Sequence, residues 1–167
     1  MGVTRMIVCC TVPSPLGPLT LAAEDGQLTG LWLENQKHFR AGVPSDAPFD
    51  PQAAPFSQVR AWLDAYFAGQ NPPLEVPLDP QGTDYQLRVW RALREIPYGQ
   101  TVTYGQLAEK LHSAARAVGA AVGRNPVSIL IPCHRVVGAD GCLTGYAGGL
   151  ENKKRLLRLE GAWEETP

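Results

Sequence analysis

Cysteine is scarce in this chain: only Cys9, Cys10, Cys133 and Cys142 occur in 167 residues. They are too few and too irregularly spaced for a disulfide framework, and neighbours such as Cys9 and Cys10 do not readily bridge each other. All four are therefore expected as reduced thiols. There is no Cys-x-x-Cys or His-x-x-x-His spacing, and the three histidines, His38, His112 and His134, are scattered. This argues against a structural zinc site and predicts a protein that needs neither metal nor cofactor. A long apolar run is missing as well. The stretch "MIVCCTVPSPLGPLTLAA" is broken by Pro13, Pro15 and Pro18 and has no basic leader, so it reads neither as a signal peptide nor as a membrane span. A soluble, cytoplasmic protein is expected.

Overall charge is nearly absent too, at −1, but it is unevenly divided. Residues 1–82 hold 4 Lys/Arg against 8 Asp/Glu, whereas residues 83–167 hold 11 against 8. The basic half can attract a polyanion locally, because such contacts act over about one Debye length, roughly 8–10 Å. Solvated surface charge would give the same count. With 44% apolar residues the chain can bury one core of ordinary size or two small ones that share an interface.

From Met6 to Leu33 the apolar pattern predicts three antiparallel strands, "MIVCCTV", "PLTLAA" and "LTGLWLE", separated by the turn signals "PSPLG" and "EDGQ". Residues 41–54 read as a loop. Phe56, Val59, Trp62, Leu63, Tyr66 and Phe67 recur at helical spacing and are expected in the core. The proline-rich stretch 69–82 is the natural linker between an N-terminal support domain, 1–78, and a C-terminal domain, 83–167. In the second domain, Thr83 or Asp84 caps a helix with Val89, Trp90 and Leu93 on its apolar face, and Thr103 caps a short helix "YGQLAEKL". A second helix, "AARAVGAAVG", follows after only "HS" and suggests a helix-turn-helix. Its small residues, Ala117, Gly119, Ala120, Ala121 and Gly123, allow close approach of another helix or of a nucleic-acid groove. "VSILI" reads as a short buried strand that delivers Pro132 and Cys133. A glycine-rich loop and a final helix, "ENKKRLLRLEG", complete the chain.

The adjacency of Cys133 and His134 is the chemical signal. A cysteine attacks as thiolate, and at an ordinary pKa of about 8.5 only a few per cent is ionised near neutrality. Neighbours on a strand point to opposite faces, so contact between this pair requires a turn at Pro132 or a bridging water. Glu160 could orient the histidine as the third member of a Cys-His-Glu relay. An inert buried thiol is the plain alternative.

At "NPVSILIPCHRVVG" the chain resembles the methylated-DNA–protein-cysteine methyltransferase family, the direct-reversal repair proteins for O6-alkylguanine. The resemblance is carried also by "GTDYQLRVWRALREIPYGQTVTYGQLAEKL", "ARAVG", "GCLTGYAGGL" and "KRLLRLEG", spanning about residues 82–162, with a weaker echo in "SPLGPLTLA" and "YFAG". It implies an α+β fold, with an N-terminal RNase-H-like antiparallel sheet and a C-terminal winged helix-turn-helix domain. It implies Cys133 as alkyl acceptor, His134 and Glu160 as its activators with the histidine acting through a water, and Tyr104 as donor to the guanine leaving group. Arg116 would enter the base stack in place of the flipped nucleotide, from a recognition helix bearing Ala117, Gly119, Ala120 and Gly123, and Asn125 would brace the following turn. Pro132, Val136, Tyr146 and Ala147 would line the base pocket.

The implied partner is double-stranded DNA containing O6-alkylguanine, bound by a monomer. O4-alkylthymine stays open as a second substrate, and the charge asymmetry makes neighbour contacts along DNA conceivable. The zinc ligands of some animal members are absent, with Ala22 and Ala23 where one would fall. "KLHSAARAVG" is about two residues shorter than the usual Gly-x-Pro connection, which would shift Tyr104 relative to Arg116. Two other readings compete: a cysteine hydrolase, which needs an oxyanion hole, and a non-catalytic lesion sensor or helix-turn-helix regulator. Such sensors replace the nucleophile, and Cys133 argues against that reading.

Overall fold

Alternation in the first thirty residues resolves into a meander, seen in a computed structural model that describes residues 6–163. Strands β1 (Ile7–Val12), β2 (Leu19–Glu24) and β3 (Gln27–Leu33) pair antiparallel in sequence order. Asp25 and Gly26 alone join β2 to β3, both at positive φ, as a two-residue hairpin whose twist matches the strands requires. Leu19, Leu21, Leu28, Leu31 and Leu33 are fully buried. They share one apolar core with Phe56, Val59, Leu63 and Tyr66 of α1 (Phe56–Phe67).

The proline-rich segment is not a free spacer. Leu28 N donates to Pro77 O at 2.9 Å and Asp79 N to Leu28 O at 2.8 Å, so the segment runs beside β3, and Val76 is buried. Further along β3, Leu31 N donates to Pro126 O at 2.8 Å and Ser128 N to Leu31 O at 3.0 Å. Both halves of the chain therefore satisfy the same strand's backbone, which could not otherwise be buried without loss of its hydrogen bonds.

In the second half, Thr83 rather than Asp84 caps α2 (Asp84–Arg94), in a capping box closed by Gln86. The same device, Thr103 with Gln106, starts α3 (Tyr104–Lys110). The short connection to α4 (Ala115–Gly123) is a tight helix stop. His112 takes a left-handed φ of 52°, its N–H donates to Glu109 O at 3.2 Å, and Ser113 N reaches Ala108 O at 2.9 Å. These two bonds satisfy the last carbonyls of α3. Ser113 Oγ and Tyr85 Oη, 2.7 Å apart, and Arg88 Nη2 on Leu111 O at 3.0 Å fasten the turn to α2. Trp90 Nε1 donates to Ala121 O at 2.8 Å and ties α2 to α4.

"VSILI" is not a strand, contrary to the expectation from its apolar run. Only Val127 bridges to β3. Ile131 N folds back to Val127 O at 3.1 Å, and Leu130 N bonds Ser128 O at 2.9 Å. Ile129 sits at φ 73°, a conformation that costs a β-branched residue energy and persists only where its surroundings fix it. The cause is Asn125, whose buried amide accepts from Val127 N at 3.0 Å and donates to Ile131 O at 2.9 Å. This loop feeds a single 3-10 turn, Cys133–Arg135, and then β5 (Val136–Val137). β5 pairs parallel with β4 (Val102–Thr103), Val102 opposite Val136 and Thr103 opposite Val137. That pairing sets the first residue of α3 beside the turn that carries Cys133. The last helix, α5 (Leu150–Leu159), stops at Gly161, φ 74°, with Ala162 N on Leu157 O at 2.8 Å. Among the described residues no helix is long and apolar enough to cross a membrane.

Replacing Thr83 by Ala removes an exposed cap and should cost about 1 kcal/mol. For a chain of this size that is a Tm lowered by about 2–4 °C in thermal denaturation.

Candidate active site

Cys133 opens the 3-10 turn at the inner wall of a cavity of about 500 Å³. Tyr104, Gly119, Ala120, Gly123, Arg124, Tyr146 and Ala147 line the same cavity, and Lys37 and His38 close its rim from the N-terminal half. The rim is cationic. His38 has its pKa lowered by desolvation and by the charges of Arg124 and Lys37. On α4, Val118, Ala121 and Val122 face inward, while Arg116, Ala117 and Ala120 are exposed. The outer face of the helix is thus nearly bare backbone with an arginine at its first turn. Despite the short connection, Tyr104 reaches α4: a Cβ built on Gly119 would lie 3.8 Å from the tyrosine ring.

Pro132 and Val136 are not among the residues lining this cavity. Pro132 faces a separate depression with Tyr98 and Arg135. Val136 turns its carbonyl to Lys153, because the parallel pairing with β4 and the lysine occupy its backbone. Asn125 is likewise behind the wall, where it shapes the loop.

Behind Cys133 lies a buried relay. His134 Nε2 is 2.7 Å from Glu160 Oε2, and Arg135 clasps the same carboxylate through Nε on Oε1 at 2.8 Å and Nη2 on Oε2 at 3.0 Å. Tyr66 Oη donates to Glu160 Oε2 at 2.5 Å. Burial alone would push the Glu160 carboxyl up, but the bonds from His134 and Arg135 prevail and hold it at about 2. An ionised carboxylate only accepts, so the proton between the two groups sits on Nε2. His134 is itself lowered, chiefly by burial, against the opposing pull of Glu160. The imidazole is thus neutral near pH 7, with a lone pair on Nδ1, which has no hydrogen-bond partner among the described residues.

The 3-10 turn makes this arrangement possible. It places Cys133 on the cavity and His134 on the relay without the alternating geometry of a strand.

Cys133 itself is pushed up to about 11 by burial, opposed by the Asn125 amide and the Lys153 charge. A standing thiolate is therefore disfavoured, and the thiol depends on a base. Tyr104 is raised by burial and then by the Cys133 charge, and Tyr146 well above its ordinary range by the same two causes. Both phenols remain proton donors at neutral pH.

Comparison with known proteins settles the kinship. Residues 84–162 match the family description "6-O-methylguanine DNA methyltransferase, DNA binding domain", and residues 7–80 match "6-O-methylguanine DNA methyltransferase, ribonuclease-like domain". A methylated-DNA–protein-cysteine methyltransferase of Mycobacterium tuberculosis is 48% identical over 157 residues, 93% of each chain. The chain belongs to the methylated-DNA–protein-cysteine methyltransferase family. The enzyme of that name from Methanosarcina acetivorans is 42% identical, covering 89% of this chain and 95% of its own. The crystal structure of Mycobacterium tuberculosis OGT in complex with DNA superposes with a TM-score of 0.84 at 47% identity, over 92% of each chain. The α+β class, with its ribonuclease-like sheet first and its helical DNA-binding domain second, is that of these methyltransferases.

Three residues at the site escaped sequence reasoning. Lys153 is fully buried and donates to Val136 O at 2.6 Å, Thr144 O at 2.9 Å and Gly145 O at 3.1 Å, so it pins the glycine-rich loop to the strand after Cys133. In "ENKKRLLRLEG" it reads as one more surface lysine; only its place on the inward stripe with Leu156 and Leu157 marks it. Arg135 carries no signal of its role in the sequence, and Tyr66 was expected only as a core aromatic. Gly148 also has a specific cause, since a Cβ there would stand 2.7 Å from the Tyr146 ring and 3.1 Å from Leu33.

The relay predicts an acid-sensitive fold. In the unfolded chain Glu160 titrates near 4.5 and in the folded one near 2, so the stability it contributes is present above pH 4.5 and lost as pH falls toward 2. His134 acts in the same direction from about pH 6.5 downward, because burial disfavours its charged form. Glu160→Gln should lower stability at pH 7 and flatten the loss between pH 4.5 and 2, as read by urea denaturation across that range.

Proposed function

We propose that Cys133 is the acceptor of a single-turnover alkyl transfer from O6-alkylguanine in double-stranded DNA. Direct-reversal repair by transfer to a protein cysteine is the reaction of the family. The observation that carries the residue assignment is the position of Cys133, on the wall of a cavity with two protonated tyrosines and backed by a neutral His134 that is hydrogen-bonded to the ionised Glu160.

A base within the stack cannot reach a thiol that is only 3% exposed, so the nucleotide is flipped into the cavity, at a cost of a few kcal/mol. Arg116 takes its place in the stack, and the small residues of α4 let the helix lie close in the groove. Lys37, Arg124 and the other basic groups meet phosphates.

His134 Nδ1 then takes the Cys133 proton through one water, and Glu160 stabilises the imidazolium that forms. The sulfur attacks the alkyl carbon in line. The carbon–O6 bond breaks, and its electron pair goes to the guanine. Tyr104 donates to the departing base, whose charge is otherwise poorly stabilised in a dry site. The proton lost from the thiol ends on the guanine, the thioether has no return path, and each molecule acts once.

The protein acts as a cytoplasmic monomer, and the opposite charges of its halves support neighbour contacts along DNA. The chain divides into a support unit, 1–78, and a DNA-binding unit, 83–167, a reading supported by the family matches over 7–80 and 84–162.

Intact-protein mass spectrometry with an O6-methylguanine duplex should show one added methyl per molecule, mapped to Cys133. Modification elsewhere, or catalytic turnover as a hydrolase would give, overturns the assignment. An O4-methylthymine duplex in the same assay decides that substrate. Cys133→Ala should abolish transfer with duplex affinity within about threefold of the parent, the spread of a change below 1 kcal/mol. Arg116→Ala should slow repair in duplex by about 10- to 100-fold, the equivalent of losing much of the compensation for unstacking, and leave reaction with free O6-benzylguanine nearly unchanged. Equal losses on both substrates would remove the flipping role.

A further inference from the structure

We propose that Tyr66, supplied by the N-terminal half, is a positioning residue for alkyl transfer, its hydroxyl holding the Glu160 carboxylate against His134. The proposal rests on the relay reading above and extends it to a residue 94 positions away in the chain.

The geometry singles out this hydroxyl. Glu160 receives Arg135 as a two-pronged clasp on both oxygens, and His134 and Tyr66 both on Oε2. A two-pronged clasp fixes the carboxylate in the guanidinium plane but leaves it free to swing about that axis. A further donor on the oxygen that meets the imidazole blocks the swing. Tyr66 is a rigid donor: its ring stacks on Trp62 at 5.1 Å and 13°, and meets the edges of Phe67 at 5.3 Å and Tyr98 at 6.2 Å. Burial and the Glu160 charge raise its pKa far above the ordinary tyrosine range, so the hydroxyl keeps the proton that it donates to the carboxylate.

The charged and titratable surroundings of Glu160 are otherwise few. Arg135 and His134 come from the 3-10 turn, Tyr98 from the loop after α2 and Tyr146 from the glycine-rich loop, while Lys153 of α5 acts on His134. Among these, Tyr66 is the one contributed by the N-terminal half. A plain core role is the competing explanation, since a buried phenol needs an acceptor in any case. The two differ in what the carboxylate does when the hydroxyl is gone. A donor on Oε2 draws charge from it. Without that donor the carboxylate is both less restrained and a stronger base, and His134 keeps a proton to higher pH.

The test uses the full chain. Rates of Cys133 alkylation by free O6-benzylguanine and by an O6-methylguanine duplex are measured from pH 5 to 9 for the parent, Tyr66→Phe and Leu63→Ala. Tyr66→Phe should lower the rate on both substrates by about 10-fold, the scale of one hydrogen bond to a charged group. It should move the acid limb of the pH profile up by about half a unit and leave duplex affinity unchanged. Leu63→Ala, a cavity in the same helix, should lower Tm and leave the pH profile in place. A Tyr66→Phe protein that reacts like the parent at every pH overturns the proposal, even if its Tm falls. If the parent itself is not alkylated at Cys133, the relay reading fails instead. Should Tyr66→Phe not fold, Trp62→Ala, which frees one face of the Tyr66 ring at a partly exposed position, should show the same limb shift with a smaller loss of rate. An unmoved limb there is equally decisive.

Discussion

The Glu160 carboxylate, ionised although almost wholly buried, has to be met by donors on every side, and meeting it draws together three distant parts of the chain. Leaving a charge in such a place unpaired would cost several kcal/mol. The protein assembles the end of α5, the turn after Pro132 and the last turn of α1 around one pair of oxygens. The Tyr66–Glu160 bond crosses the seam between the halves, which is closed elsewhere by backbone bonds of β3 with 126–128 and of Lys37 N to Ala147 O at 2.9 Å. Stability of the interface and orientation of the histidine are therefore one structural problem with one solution.

Much of this was legible in the residues. The three strands, the aromatic helix and the threonine caps each have a local cause, so a local reading found them. The Cys133–His134–Glu160 grouping was read from residue chemistry and family likeness, and the structure brings the last two within hydrogen-bond distance. "VSILI" misled because an apolar run records burial and not conformation. The deciding influence, the Asn125 amide, lies outside the run and acts through the backbone. Lys153, Arg135 and Tyr66 were missed for a related reason: their meaning is set by what faces them across the core, and one-dimensional spacing carries no trace of that. The proline-rich stretch read as a linker, and that reading concealed that its backbone is hydrogen-bonded to β3.

Electrostatics at the site favours rest over readiness. A thiol raised to about 11 beside a neutral imidazole is a poor nucleophile toward whatever drifts past. In the proposed reaction its ionisation is worthwhile only when a bound base displaces water and offers a leaving group that Tyr104 can support. The cationic rim and the uncharged interior divide the work between attracting a polyanion and keeping the nucleophile covered.

The order of the relay along the chain has a consequence for the protein's early life. Glu160 lies 26 residues beyond His134 and is the C-cap of α5, so a ribosome must release those further 26 residues before the imidazole has its partner. Until then Cys133 is an ordinary thiol in an unfinished chain. The base proposed for it is thus completed only when α5 has emerged, and the assisted reaction waits on that step of assembly.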